Sequence, residues 1–506
     1  MIETNRVRVS DIISNDDINK WRSGDIVIIQ SPCDSGKSFF IKNNLYEIAK
    51  SRNTKILMLL HRTQCKRQFE QELELGNKTD TIHIRTYQSI EYDILDNLQE
   101  PDLSQYGFIV SDEFHYYLCD ADFNKRTDVS FSYIMKQKKA VKIFMSATVC
   151  SMDRYIENST RRKPYKFGIG TDFSNIKSLS FYSKDETVDE FIKKYIQSGE
   201  KAIFFIKSCR KAYDFFKKYS DCSLFLCSKS NSHYKYVNQD KINDMLLNEK
   251  FDSQFLFATQ CFDSGTNLFD EDLKNIFIDM DDVDSLIQCL GRKRIKSDTD
   301  KVNLYIKTIS NQQLGGYQTA TKKDISMAQY LLSHDAQSLI MKYPRQCDRG
   351  NIIYDDTNYN RQRNQATKKV NMLKFMKKKY DITLYNQMIS LGEFGYCKYL
   401  ARLFGFYDSS TDKYTYEVFN EDYGLMSFLE SNLETVWLSH SDRKELINRI
   451  DLRRDGKPLK SLNSLNPALE ESGIPFKIIE FSTSGHDEKT NTKKYYGHAW
   501  KLEKSS

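Results

Sequence analysis

Residues 26–50 read IVIIQ (Ile26 to Gln30), then SPCDSGKS (Ser31 to Ser38), then FFIKNNLYEIAK (Phe39 to Lys50). Four β-branched residues in a row predict a buried strand, and the run after Ser38 is helical in pattern. Between them lies a short loop that ends in Gly36-Lys37-Ser38. A chain that passes from a strand through such a loop into a helix points backbone N–H groups at the helix N-terminus, where they attract anions. A lysine and a hydroxyl complete a phosphate cradle: Lys37 is placed to neutralise β/γ oxygens and Ser38 to hold Mg2+. The pattern is degenerate. Ser31 stands where the first glycine is usual, and Asp34 where glycine is frequent, so the Asp34 side chain has to point away from the phosphates. Ser31, Pro32, Cys33, Asp34, Ser35, Gly36, Lys37 and Ser38 are the candidate nucleotide-binding loop.

Outward from this loop, short apolar runs alternate with helical patterns over the first 300 residues. After IVIIQ come KILMLL (Lys55 to Leu60), FIVSD (Phe108 to Asp112) and KIFMS (Lys142 to Ser146). A second group follows: AIFFI (Ala202 to Ile206), SLFLC (Ser223 to Cys227), QFLFAT (Gln254 to Thr259) and NIFIDM (Asn275 to Met280). The alternation predicts βαβ units on parallel sheets, hence two α/β lobes. The polar stretch Arg161 to Ser180, with two glycines and a proline, reads as the linker between them. Beyond Ile309 the alternation stops, and a Tyr-, Asn- and Lys-rich third region with helical patches begins.

The run FIVSD ends in Asp112-Glu113-Phe114-His115. At the tip of a strand neighbouring a phosphate loop, one carboxylate can hold Mg2+ and an adjacent one can orient or deprotonate the attacking water. Acidic pairs are common in any protein, so the pair gains its weight from what surrounds it.

Seven elements arrive in order. Lys37-Ser38 resembles motif I of superfamily 2 helicases, Asp112-Glu113-Phe114-His115 their motif II, and Ser146-Ala147-Thr148 their motif III. Leu60-His61-Arg62-Thr63 resembles motif Ia, and Thr86-Tyr87-Gln88-Ser89 a further nucleic-acid-contacting motif. In the second lobe, the stretch from Thr259 to Leu268 with Gly265 and Asn267 is similar to motif V, and Gln288-Cys289-Leu290-Gly291-Arg292-Lys293-Arg294 to motif VI. The resemblance spans roughly residues 20 to 310; the Ser-Pro opening, the His-Arg-Thr form of motif Ia and the compact motif VI look most like viral and phage origin-of-replication-binding helicases. One departure stands out. Many members carry a second motif VI arginine three residues after the first, where this chain has Ile295, which leaves Arg294 as the substitute.

The resemblance implies two RecA-like P-loop NTPase lobes (1–165 and 166–309) with parallel sheets; beyond it, the residue pattern predicts a helical accessory region (310–435) and a winged-helix-like end (436–506). The resemblance also implies ATP and Mg2+ as cofactors, with Ser38 and Asp112 as metal ligands. Lys37, Asp112, Glu113, Gln288, Arg292 and Arg294 become the catalytic candidates, Gly265 and Asn267 join the nucleotide site, and an arginine supplied in cis stabilises charge on the transferring phosphoryl group. His61, Arg62, Thr86, Gln88 and Thr259 become the candidate contacts to nucleic acid, mainly to its phosphates. His115, Ser146 and Thr148 would couple lobe closure to that strand.

Composition is compatible with this and excludes little. Apolar residues make up 40% and charged residues 28% of 506, ordinary values for a globular chain of several domains. No apolar run reaches the roughly 18 residues of a membrane span, and the N-terminus lacks a secretory apolar stretch. The 11 cysteines show no zinc-ligand spacing and read as reduced core thiols in a cytoplasmic protein of bacterial, phage or viral context. A net charge of +6 suits a nucleic-acid partner without requiring one.

Toward the C-terminus, 361–380 carries Arg361, Arg363, Lys368, Lys369, Lys374, Lys377, Lys378 and Lys379, either a phosphate-tracking stripe or a solvated face. Further on, Asp442 to Leu452 and Leu459 to Ser472 are helical in pattern, followed by the extended runs Phe476 to Phe481 and Lys494 to Leu502. Helix, helix, hairpin is the order of a winged helix, with Lys460, Asn463, Asn466, Lys493 and Lys494 as candidate DNA contacts. The expected activity is a DNA helicase or translocase in replication, recombination or repair, with DNA favoured over RNA as partner. The alternatives are an RNA helicase or remodeller, and a nucleic-acid-binding protein whose ATPase has decayed.

Overall fold

The computed structural model describes residues 7–32, 35–61, 63–95, 100–119, 124, 126–147, 153, 155–157, 160, 162–259, 267–295, 297, 299–345, 352–356, 367–419, 428–429, 432–433, 435–450, 452–454, 457–471, 474–486 and 493–504. Of the candidate residues, Cys33, Asp34, Arg62, Thr148, Gly265, Arg361 and Arg363 lie outside this set. The chain forms two compact units, 1–179 with 198–416, and 180–197 with 417–506.

The first unit contains predicted lobe 1 and all of predicted lobe 2 except 180–197. Lobe 1 is a six-stranded sheet of β1 (Ile26–Gln30), β2 (Lys55–Leu60), β3 (Ile82–Thr86), β4 (Tyr106–Asp112), β5 (Val141–Ser146) and β6 (Tyr165–Gly168), in the order β3-β2-β4-β5-β1-β6. Every pairing is parallel. Alternate residues of its central strands enter two separate cores: Val27, Ile29, Met58, Val110 and Ile143 on one face, Ile28, Leu57, Leu59, Ile109 and Phe144 on the other. Burial on both faces explains why these strands are unbroken apolar runs.

Lobe 2 repeats the arrangement with β7 (Ile176–Tyr182), β8 (Lys201–Ile206), β9 (Ser223–Leu226), β10 (Phe255–Ala258), β11 (Leu273–Asp279) and β12 (Val302–Lys307), in the order β7-β12-β11-β8-β10-β9. The two α/β lobes are RecA-like: in lobe 1 the phosphate-loop strand β1 and the acidic strand β4 flank β5, so the loops at their C-terminal ends converge.

All eight predicted strands are present, and four more join them. Arg161 to Ser180 is no plain linker, because β6 pairs with β1 from Val27↔Tyr165 to Gln30↔Gly168, and β7 begins at Ile176. β6 is largely exposed at the sheet edge, where a strand needs no apolar run to form; this concealed it in the sequence.

A helical region completes the first unit: Asn311–Ser333, Ala336–Lys342, Met372–Ser390 and Gly395–Leu403, with a short antiparallel pair, Ile353–Asp355 and Lys368–Val370. The long helix starts at a capping box formed by Ser310 and Gln313.

In the second unit, Glu417–Phe419 pairs in parallel with Ser180–Tyr182, and Phe419 meets Phe191 of the helix Asp185–Ser198 at 5.2 Å between ring centroids. Its C-terminal part is the expected succession of helix His440–Ile450, helix Leu462–Glu471 and hairpin Phe476–His486/Lys493–Lys504, with Val436–Trp437 as a third strand. Leu446, Ile450, Leu465, Leu469, Phe476, Trp500 and Leu502 form its core. One predicted DNA contact is redirected: the Asn466 amide donates to Ile478 O at 2.9 Å and accepts from Ile478 N at 2.8 Å. Those bonds pin the second helix to the hairpin. Asn463, Lys460 and Lys493 are exposed, and the Lys494 side chain lies outside the described set.

Candidate functional site

Gly36 sits in the left-handed region at φ 78°, a conformation glycine adopts without a Cβ penalty, and it caps the short helix Lys37–Phe40. The loop before it is fastened from below. Ser31 N donates to Ser146 O at 3.0 Å, Val9 N donates to Ser35 O at 2.9 Å, and Ser35 Oγ donates to Pro32 O at 2.7 Å. The N-terminal turn Val9–Ile12 therefore braces the loop, a role that nothing in its sequence announces. Lys37 is buried at 8% exposure, with Nζ donating to Ser31 O at 3.3 Å and to Glu113 Oε1 at 3.2 Å.

At the end of β4 the chain bends sharply. Glu113 takes φ 50°, which turns its side chain toward the loop, and Phe114 N donates to Met145 O on β5. Glu113 Oε2 lies 3.2 Å from His115 Nδ1, which lies 3.0 Å from Ser146 Oγ. Lys37, Glu113, His115 and Ser146 thus form one connected network across three strand ends.

The electrostatics separate the two acids. Burial opposes ionisation of Glu113, but Lys37 first, then His115 and Arg292, outweigh it and hold the carboxyl well below the usual carboxylate range. Burial, followed by the charge of Glu113, pushes Asp112 up to about 6. Of the two, Glu113 is the more readily ionised.

From lobe 2, Gln288 lies on the helix Val283–Leu290 and Arg292 just beyond it; each is 6% exposed. The charge of Arg292 adds to the lowering of the Glu113 carboxyl. Arg294 Nε donates to Asn267 Oδ1 at 2.8 Å, so two candidates from separate motifs meet, while the backbone ties Leu268 N to Arg292 O and Arg294 N to Leu268 O. Lys293 turns away to pair with buried Asp300.

Several buried polar atoms around this seam have no hydrogen-bond partner among the described residues: Ser31 Oγ and Asp112 Oδ1 in lobe 1, Gln288 Nε2 and Arg292 Nε in lobe 2. Buried polar groups are ordinarily satisfied, so this set is open to a further partner. Its chemistry is specific: a carboxylate oxygen on one side suits a cation, and two N–H donors on the other suit anionic oxygens. Those residues, with Ser38 half-buried one position after Lys37, fit a phosphate chain and a divalent cation.

Of the candidates for nucleic-acid contact, three come together at the ends of adjacent strands β2 and β3. Gln88 Nε2 donates to His61 O at 3.2 Å, and Thr86 Oγ1 accepts from Ser89 N at 3.1 Å. Thr259 lies in the other lobe, at the end of β10, and is buried at 8% exposure.

No protein-family model and no curated protein matches the sequence. Among solved structures, the chain is similar to Dbp5 of S. cerevisiae bound to RNA and ADP BeF3 (TM-score 0.41, 15% identity, covering 56% of this chain and 79% of that one). It is likewise similar to Mss116p bound to ssRNA and AMP-PNP (0.42, 13%, 65% and 80%). A third similar structure is the Escherichia coli DEAH/RHA helicase HrpB (0.40, 15%, 57% of this chain and 41% of that chain). The fold assignment itself rests on strand order and on the placement of the phosphate loop.

Proposed function

We propose that this chain is a nucleic-acid-dependent ATPase of the superfamily 2 type, a DNA helicase or translocase that hydrolyses ATP in the seam between its lobes. The supporting observation is a set of unsatisfied buried groups: Ser31 Oγ and Asp112 Oδ1, whose oxygens suit a cation, and Gln288 Nε2 and Arg292 Nε, whose N–H groups suit oxyanions. The order of the seven motifs supports the same reading, and the helix-helix-hairpin module at the C-terminus supports DNA over RNA.

In this reading the loop Ser31–Ser38 holds the phosphates, with Cys33, Asp34, Gly265 and Asn267 completing the nucleotide site. Lys37 neutralises the β/γ oxygens, and Ser38 and Asp112 would hold Mg2+. Bound there, Mg2+ supplies charge neutralisation between the phosphates. Glu113 accepts a proton from the attacking water as the water oxygen bonds to the γ-phosphorus and the bond to the ADP oxygen breaks. Lys37 and His115 keep Glu113 ionised for that task. Arg292 stabilises the charge spread over the phosphoryl oxygens, Arg294 fixes Asn267 beside it, and Gln288 orients the same oxygens. His61, Arg62, Thr86, Gln88 and Thr259 contact the strand, and His115, Ser146 and Thr148 link that strand to closure.

The test is a pair of variants. Lys37→Ala and Glu113→Gln each lower nucleic-acid-stimulated ATP hydrolysis by at least about 100-fold, the scale of losing a general base or a phosphate clamp. Stimulated turnover that survives both changes contradicts the assignment.

A further inference from the structure

Tyr87 stands between two of the candidate strand contacts, Thr86 and Gln88, yet it is itself fully buried. Its hydroxyl donates to the backbone carbonyl of Asp112 at 2.8 Å. Its ring stacks on Tyr116 at 4.6 Å and 7°, and Tyr116 lies one residue after His115. The His61 ring closes the circuit, 6.1 Å from His115 and 6.2 Å from Tyr116, while the His61 carbonyl accepts from Gln88. A buried tyrosine needs a partner for its hydroxyl, and most find an arbitrary carbonyl. Here the partner belongs to the acid at the seam, at the point where β4 ends and Glu113 bends.

We infer that Tyr87 is a positioning residue that couples the Thr86–Gln88 turn to the Asp112–Glu113 corner, so that a strand engaging the turn sets the geometry of hydrolysis. The inference rests on the reading of the site given above. The means of transmission is mechanical. A close-packed interior does not absorb a displacement of the turn; it passes it along the ring stack and the hydrogen bond to the β4 end. Thr86 ends β3 and Tyr87 opens the helix Tyr87–Leu95, so a shift of the turn has to move the Tyr87 ring.

The test compares Tyr87→Phe with Tyr117→Phe in the full chain. Tyr117 is equally buried and packs 4.9 Å from Tyr87, but its hydroxyl makes no bond to Asp112. ATP turnover is measured with and without single-stranded DNA, together with the Kd for that strand. Tyr87→Phe is expected to lower the stimulation ratio about tenfold, the size of one net intramolecular hydrogen bond. Its unstimulated rate and its Kd stay within about threefold of wild type, and Tyr117→Phe changes none of the three. An unaltered stimulation ratio in Tyr87→Phe overturns the coupling alone, and so does an equal loss in both variants, which would trace the effect to packing. A wild-type protein whose turnover ignores nucleic acid overturns the reading of the site and the coupling with it.

Discussion

Glu113 occupies a backbone region that non-glycine residues rarely enter, φ 50°, and Lys37 and His115 lie against its carboxylate. Such a conformation costs on the order of 1–3 kcal/mol and persists only where the surroundings impose it. Here the bond from Phe114 N to Met145 O, the ion pair to Lys37 and the contact with His115 impose it. Arg292 acts on the same group from lobe 2. Because a planar guanidinium can bridge two oxygens and an ammonium cannot, Arg292→Lys keeps the charge and loses the fork. Steady-state kinetics on that variant should show kcat lower by about 100-fold or more; a kcat within a few-fold of wild type would remove Arg292 from the phosphoryl side. Lys37, Asp112 and Glu113 were legible in the sequence because their residue types and their place after strands carry the chemistry. Tyr87 was not, since a tyrosine between two polar residues reads as a turn until its hydroxyl is seen on Asp112.

The basic run after residue 366 shows what element-level patterns leave out. In sequence it is a row of cations with no acid, but its partners lie far along the chain. Lys377 donates to Asp282 at 2.8 Å and Asp381 at 2.7 Å, Lys378 to Asp324 at 2.7 Å, Lys368 to Asp355 at 2.9 Å, and Lys369 lies 3.5 Å from Asp128. Lys377 and Lys378 are therefore held in part-buried ion pairs, whereas Lys369 and Lys379 are exposed, as a solvated face would have them. The helix Met372–Ser390 puts Leu373 into the lobe 1 core and Lys377 onto Asp282, the N-cap of the helix that carries Gln288. Lys377→Met leaves that partly buried acid without its cation and should destabilise the fold by roughly 1–3 kcal/mol, read by denaturant unfolding; unchanged stability would show the pair to be idle. The end of the same helix makes a sharper demand. A Cβ on Gly395 would lie 2.0 Å from Met388 O, a backbone atom that cannot swing aside. Gly395→Ala should therefore cost about 3 kcal/mol, and a thermal midpoint equal to wild type would contradict the packing described. The missed strands have the same physical origin: β6 is an exposed edge and β12 alternates buried with half-buried residues, so neither presents the unbroken apolar run by which the central strands were found.

At the scale of the whole molecule, the proposed reading has two RecA-like lobes bring a phosphate loop, an acidic strand end and the arginine that follows a lobe 2 helix to one seam. The sequence could not show which buried groups would be left unsatisfied there, because that depends on side-chain directions from both lobes at once. Contacts made mainly to phosphates release counterions, so affinity for a strand should fall steeply as salt rises. Among the described residues no helix is long and apolar enough to cross a membrane. In the proposed function, ATP turnover at this seam answers to nucleic acid. The most direct measurement is the rate of ATP hydrolysis by the full chain, at one stated salt concentration, with no ligand and then with single-stranded DNA, duplex DNA, forked DNA and single-stranded RNA. The account predicts a rise of about tenfold or more with at least one DNA ligand, abolished by Lys37→Ala. The same rate across all five conditions would contradict it.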